Sequence, residues 1–157
     1  MAQLSIPEGF SGYTHYIKFD YLDLQRTGFL TTIGAANQRI IGSLPPGGII
    51  DLFAFYQVTD PAGASDLTLD VGTGSSDPDE FINALDVDAL TQVAFNTGDS
   101  FIGSDSGAAT TSNVLNGVAN NTASAQPIYM EFNGTLASLT AGEWVLAWRQ
   151  ADIGSLV

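Results

Sequence analysis

The sequence predicts an all-β fold, an antiparallel β-sandwich or jelly roll with one short helix. Several segments alternate between apolar and polar residues with a period of two, which is typical of half-buried strands. Gly, Ser, Thr, Asn and Asp interrupt the chain often, as the many turns of such a fold require. The 157 residues fit one domain, and 45% hydrophobic residues supply a core although the chain has no Cys and therefore no disulfide.

Six segments are predicted as strands. In residues 13–22, aromatic and β-branched side chains alternate and place His15 on an aromatic face. In the last strand, Trp144 and Trp148 share a face with Leu146 and are expected inside, with Val145, Ala147 and Arg149 outside. The other predicted strands are 38–44, 49–59, 66–71 and 127–133, and the last strand is 143–150. In 66–71, the side chains of Leu67, Leu69 and Val71 are expected to point inward. The strands 127–133 and 143–150 are predicted to form a hairpin through 134–142.

One short helix is predicted to begin at Asp77-Pro78-Asp79-Glu80 and to end before Asp88. Asp77 can cap it, Pro78 suits the first helical position, and acidic residues favour the positive end of a helix. Phe81, Ile82 and Leu85 would form its apolar side. Residues 96–126 are rich in small polar residues and are expected to form short strands and long loops.

The chain is divided into an N-terminal arm at 1–12, a β-sandwich domain at 13–150 and a C-terminal tail at 151–157. The first residues lack a basic segment followed by an apolar run, so no secretory signal is expected. The longest apolar run, around 49–56, contains Asp51 and is far shorter than the ~20 residues needed to cross a bilayer.

The net charge of −13 argues against two classes of partner. Only Lys18, Arg26, Arg39 and Arg149 are basic, against 17 acidic residues. Binding to nucleic acid depends on Lys and Arg that displace counterions from phosphates, and anionic membranes repel an acidic protein. We therefore expect neither nucleic acid nor membrane as a partner.

Residue types that carry catalysis are scarce. His15 is the only histidine, and a structural role is expected because a catalytic histidine needs a positioned partner. The acidic group Asp77, Asp79, Glu80, Asp86 and Asp88 could serve a glycosidase or bind Ca²⁺, but it surrounds the predicted helix and lacks the spacing of a calcium loop. We therefore expect no enzyme activity, no metal and no cofactor.

Three stretches occur in a distinctive order: Leu44-Pro45-Pro46-Gly47-Gly48-Ile49-Ile50, then Leu67-Thr68-Leu69-Asp70-Val71-Gly72-Thr73-Gly74, then Asp77-Pro78-Asp79-Glu80-Phe81-Ile82-Asn83-Ala84-Leu85-Asp86-Val87. With the closing strand, this order resembles small β-sandwich proteins of tailed phages, the capsid decoration or cement proteins and related head-fibre bases. The resemblance implies a virion structural protein on the outer surface of the capsid, bound to the major capsid protein. It also implies a homo-oligomer, with a trimer favoured, and transfers no catalytic residues.

The apolar residues outside the periodic strands are the candidate contact residues, because exposed apolar groups often mark interfaces. Two other functions stay open. A tail, fibre or carbohydrate-binding recognition module would use exposed aromatic residues such as Tyr56 or Tyr129, or a platform of Trp144 and Trp148; an acidic glycosidase would use the carboxylates. The candidate contact residues are Leu4, Ile6 and Phe10 in the arm and Ile153, Leu156 and Val157 in the tail.

Overall fold

The computed structural model describes residues 12–34, 37–88, 93–95, 118–120 and 122–152. Within these ranges the chain is mostly strand, and the only α-helix has five residues. The elements in chain order are β1 (His15–Asp20), α1 (Tyr21–Gln25), β2 (Gln38–Leu44), β3 (Gly48–Ala62), β4 (Thr68–Gly72), β5 (Ile82–Asp86), β6 (Val93–Phe95), β7 (Val118–Ala119), β8 (Gln126–Asn133), a 3-10 turn (Leu136–Ser138) and β9 (Ala141–Asp152).

The strands form two antiparallel sheets. Sheet I has the order β1-β9-β3-β6, with β7 also paired to β3, and sheet II has the order β2-β8-β4-β5. The longest pairing, β3 with β9, runs from Gly48 opposite Asp152 to Ala62 opposite Ala141. Pro61 lies within β3 at a point where this register shifts. Because the regular pairing is interrupted there, the absence of a backbone N–H at Pro61 removes no hydrogen bond between the two strands. The predicted all-β sandwich is confirmed.

The inner faces of the two sheets form one core. Trp144, Leu146 and Trp148 point into it from β9, and each is at most 2% exposed, as predicted. The inward positions Leu67, Leu69 and Val71 are likewise fully buried. The ring of Phe132, from sheet II, lies 5.3 Å from that of Trp144, from sheet I, so aromatic packing joins the sheets.

The predicted helix at 77–88 is wrong, because this segment supplies a loop and then the edge strand β5. The Phe81 N–H donates to the Val71 carbonyl, and the Val87 N–H donates to the Leu67 carbonyl. Pairing with β4 thus satisfies backbone groups on both segments, and tertiary pairing outweighs the local helix-start signals. The helix instead follows β1, where Asp20 and Asp23 form a capping box, within the segment predicted to be strand up to residue 22.

The predicted hairpin of 127–133 with 143–150 is also wrong. Strand β8 belongs to sheet II and β9 to sheet I, so the connection through the 3-10 turn crosses from one sheet to the other. The reason lies in the core, because Phe132 and Trp144 meet across it. Strands joined in a hairpin would instead lie side by side in one sheet.

Two smaller differences concern the expected outward residues and the region 96–126. Val145 and Ala147 lie on the outer face of sheet I as predicted, yet they are 2% and 0% exposed. Within 96–126 the structure describes 118–120 and 122–126, of which Val118–Ala119 form the short strand β7. No helix in the described part of the chain is long and apolar enough to span a membrane.

Candidate functional site

His15 occupies a structural position on β1. Its ring stacks on that of Trp148 with 5.3 Å between centroids and 11° between planes. Its Nδ1 shares a hydrogen bond of 2.8 Å with the Thr14 hydroxyl. Burial lowers the pKa of His15, which favours the neutral ring. Although His15 is exposed, its ring packs against Trp148 and contacts Thr14, in agreement with the structural role expected from the sequence.

The carboxylates singled out in the sequence are used to hold loops. Glu80 Oε2 accepts hydrogen bonds from the Thr73 N–H at 2.7 Å and the Gly74 N–H at 3.3 Å, which closes the loop after β4. Asp88 Oδ2 accepts one from the Leu67 N–H at 2.9 Å, which anchors the start of β4. Among the described residues, no group of three or more His, Asp or Glu side chains is arranged to hold a metal ion.

The outer face of sheet II carries a row of polar residues that we call the acidic face: Gln38, Glu131 and Asp70, with Asp79 in the adjacent loop. Register places Glu131 between Gln38 on β2 and Asp70 on β4. The Gln38 and Asn133 amides donate to the two Glu131 carboxylate oxygens at 3.0 and 2.7 Å. These donors hold the Glu131 carboxylate beside that of Asp70.

The pKa of Asp70 is raised well above its ordinary value. Burial, followed by the negative charges of Glu131, Asp79 and Asp77, raises its pKa to about 6, although a 2.5 Å hydrogen bond from the Ala84 N–H opposes the rise. Ala84 adopts a positive φ of 47° at this point, where the chain turns its N–H toward the carboxylate. The acidic face thus holds several carboxylates close together, and Asp70 loses its proton only at about pH 6.

The aromatic residues considered for sugar binding differ in how far they are buried. Trp144 and Trp148 are in the core, so the tryptophan platform is wrong. Tyr129 lies on β8 and is only 8% exposed, so it is not the exposed aromatic residue that the sequence suggested. Tyr56, on β3, is half-buried and reaches the outer surface of sheet I.

Tyr56 is part of an aromatic surface that we call the tyrosine face: Tyr13, Tyr16 and Tyr56 packed on Ala54, Val145 and Ala147. Register aligns Tyr16, Ala147 and Ala54 in one row across three strands of sheet I. The next row consists of Lys18, Val145 and Tyr56. The three tyrosines are half-buried, while the smaller residues between them are at most 2% exposed.

Basic residues lie on the same side of sheet I as the tyrosine face. Lys18 forms a salt bridge with Glu143, from the neighbouring strand β9. Burial raises the pKa of Tyr13, and the positive charge of Arg149 opposes this rise. Two of the four basic residues of the chain thus lie on this side of sheet I, whereas the acidic face has carboxylates without a basic residue in its row of described positions.

The tyrosine face was not among the predicted surfaces, although the sequence contains a signal for it. Tyr16 lies in the opposite phase to His15, Ile17 and Phe19, so β1 carries aromatic residues toward both sides. In the same way, Val145 and Ala147 alternate with the core residues of β9. Apolar residues in both phases of a strand indicate that both of its faces are covered.

A cleft of about 680 Å³ lies between α1 and the 3-10 turn. The Gln25 amide crosses one side of it and donates to the carbonyls of Leu136 and Leu139 at 3.0 and 2.8 Å. The lining residues are Leu24, Gln25, Asn37, Gly134, Thr135, Leu136, Ala137 and Ser138. None of these side chains titrates near neutral pH, so the cleft itself offers no acid or base.

The predicted contact residues Leu4, Ile6, Phe10, Ile153, Leu156 and Val157 lie outside the described residues. The described ends of the chain nevertheless lie at the same end of sheet I. His15, at the start of β1, pairs with Trp148, near the end of β9, and the Gln150 N–H donates to the Thr14 hydroxyl at 2.8 Å. The chain matches no protein-family model, no curated protein and no solved structure.

Proposed function

We propose that this chain is a virion structural protein that decorates the outer surface of a tailed-phage capsid and bridges neighbouring coat subunits without catalysis. A ligand that binds only the assembled shell stabilises it by mass action. The pressure of the packaged DNA must then break the contacts of this protein as well as those between coat subunits before the shell fails. The partner is the major capsid protein. The proposal includes a homo-oligomer, with a trimer favoured by the resemblance of residues 44–95.

The observation that carries the proposal is the position of the two chain ends. Strand β1 begins and β9 ends at the same end of sheet I, next to the Gly48 end of β3. The described chain therefore begins and ends at the same end of sheet I, and all six predicted contact residues belong to the segments 1–11 and 153–157 that adjoin these two points. One end of the domain can thus present two apolar segments to a shell, since apolar residues exclude water when they reach a partner.

The charge distribution supports an exterior position. An acidic surface such as that around Asp70 and Glu131 is repelled by packaged DNA and remains well hydrated in solvent. The carboxylates that the sequence offered to a glycosidase, such as Glu80 and Asp88, instead accept backbone hydrogen bonds that hold loops. These two features favour a protein that works through surface contacts.

The test is binding of the pure protein to purified shells that lack it. We expect deletion of residues 2–10, or the double substitution of Leu156 and Val157 by Ser, to weaken binding at least tenfold, the equivalent of about 1.4 kcal/mol. The matched control is Leu22→Ser, which removes a 58% exposed apolar side chain at the opposite end of the sandwich and should leave binding unchanged. Undiminished binding by both terminal variants would refute the proposed contacts.

A second candidate is a carbohydrate-recognition module, and the specific observation in its favour is the tyrosine face. Partly exposed tyrosines on a rigid sheet can stack on sugar rings, as aromatic residues do with other apolar partners. A glycan array should then show binding that is lost in Tyr56→Thr. An array without signal above background at micromolar protein removes this candidate.

A further inference from the structure

We propose that the cleft between α1 and the 3-10 turn binds a neutral saccharide. Its volume of about 680 Å³ lies within the roughly 300–1,000 Å³ that is usual for small-molecule sites. Of its lining residues, Gln25, Thr135, Ala137 and Ser138 are exposed in the folded chain. The cleft is therefore open to solvent, and a ligand can reach it in the conformation described.

Three polar groups of the lining have no hydrogen-bond partner in the described part of the chain: the side-chain amide of Asn37, the hydroxyl of Ser138 and the oxygen of the Gln25 amide. The nitrogen of that Gln25 amide donates to the carbonyls of Leu136 and Leu139 at 3.0 and 2.8 Å, which fixes the position of the amide. The three groups include both donors and acceptors. They give a concave site the capacity to bind a polar ligand.

The lining residues include no charged side chain, which favours an uncharged ligand. A charged ligand group would give up hydration in the cleft without gaining an opposite charge. The net charge of −13 disfavours anions further. Carboxylates that could attract a cation, such as those of Asp70 and Glu131, lie elsewhere, on the acidic face. The cleft therefore favours neutral ligands over ions.

Among neutral ligands, the lining suits a saccharide better than a peptide. Sugar hydroxyls both donate and accept, so two neighbouring hydroxyls match the donor and the acceptor of the Asn37 amide. Leu24 and Leu136 add apolar surface for the C–H groups of a sugar ring. A bound peptide depends on main-chain hydrogen bonds. At this site the carbonyls of Leu136, Leu139 and Asn37 already accept hydrogen bonds within the chain, so side chains remain as the binding groups.

The cleft lies at the end of the sandwich opposite the described chain ends. Strand β1 runs away from those ends to Asp20, where α1 begins, and the 3-10 turn precedes the start of β9. A protein bound to a shell by its chain ends therefore turns the cleft toward the surrounding solution, and this orientation rests on the proposed function. Saccharide binding by the pure protein needs no shell, so either proposal can fail without the other.

Titration of the isotope-labelled full chain with neutral trisaccharides of glucose, galactose, mannose or N-acetylglucosamine, followed by amide NMR shifts, tests the proposal. Because the cleft is open on one side, we expect a dissociation constant of about 1 mM for at least one of them. Trigalacturonate should bind at least tenfold more weakly, since the lining offers its carboxylates no cation. The neutral peptide N-acetyl-trialanine amide should also bind more weakly. No binding of any neutral trisaccharide at about 20 mM, or tighter binding of the anion or the peptide, would overturn the proposal.

The double variant Asn37→Gly with Ser138→Ala removes two of the three unpaired groups. Asn37 has a positive φ of 58°, which Gly adopts without steric cost, so the backbone is retained. We expect at least tenfold weaker binding. Ser43→Ala is the matched control, because it removes an exposed hydroxyl near the far end of β2, and Tyr56→Thr probes the tyrosine face instead. Both should bind as the wild type does. Unchanged binding by the double variant, or a loss in Tyr56→Thr, would contradict the assignment to the cleft.

The NMR shifts also locate the ligand without any variant. We expect the largest shifts at the amides of 134–138 and of α1, which border the cleft. Shifts confined to β1 and β3 around Tyr16 and Tyr56 would overturn the proposal, even if shell binding proved correct.

Discussion

Replacement of Asp70 by Asn should stabilise the protein at neutral pH. Asp70 is half-buried on the outer face of sheet II, where Glu131, Asp79 and Asp77 add to the cost of its negative charge. Asn keeps a carbonyl oxygen that can accept the hydrogen bond from the Ala84 N–H, observed at 2.5 Å. The substitution therefore removes the unfavourable charge and leaves the backbone contact in place.

The size and sign of the effect follow from the pKa of Asp70, which rises from 3.8 to about 6 on folding. The folded state holds this proton more tightly than the unfolded state, so the contribution is complete below pH 3.8 and is lost as pH rises through 6. A shift of this size corresponds to about 3 kcal/mol at most. Because the carboxylate is partly exposed and screened by solvent, we expect about 1 kcal/mol.

Urea unfolding at pH 7.5 and pH 4 provides the assay. We expect Asp70→Asn to raise the free energy of unfolding at pH 7.5 by about 1 kcal/mol and to differ little from the wild type at pH 4. Asp60→Asn is the control, since it removes one negative charge from an exposed position on β3. A variant no more stable than the wild type at pH 7.5, or a gain that persists at pH 4, would refute the reasoning.

Two further predictions concern the core and the helix. Trp144→Phe should cost about 2–4 kcal/mol, because the Trp144 Nε1–H donates to the buried Gln57 Oε1 at 3.2 Å. Trp148→Phe should cost about 1–2 kcal/mol less, since the buried Trp148 Nε1–H has no acceptor among the described residues; equal losses in calorimetry would contradict this. Asp20→Ala should lower the free energy of unfolding by about 1 kcal/mol through loss of the capping box, measured by urea titration, and no change would show that α1 does not need its cap.

Period-two patterning predicted most of the strands, because a strand that is buried on one face alternates between apolar and polar residues along its sequence. Strand β2 lies at 38–44 as predicted, and the inward residues Leu69 and Trp144 are buried. The pattern does not show which strands pair with each other. It therefore could not predict that the chain crosses from one sheet to the other between β8 and β9. The segment after Asp77 was misassigned because its helix-start residues, such as Glu80, serve equally well to close a loop.

The candidate surfaces were less predictable than the fold, because they depend on register between distant strands. Asp70 and Glu131 are 61 positions apart and neighbours only through the pairing of β4 with β8. Tyr16 and Tyr56 likewise reach the same face only because β9 lies between their strands. Side chains from three strands make up each surface, and no local spacing in the chain encodes such a set.

Electron cryomicroscopy of tailed-phage particles assembled with this chain tests the proposed decoration of the capsid most directly. With the chain carrying a bulky fusion, we expect extra density projecting from the outside of the capsid at repeated positions between coat subunits. Extra density inside the shell, or only on the tail, would contradict a role in decorating the capsid.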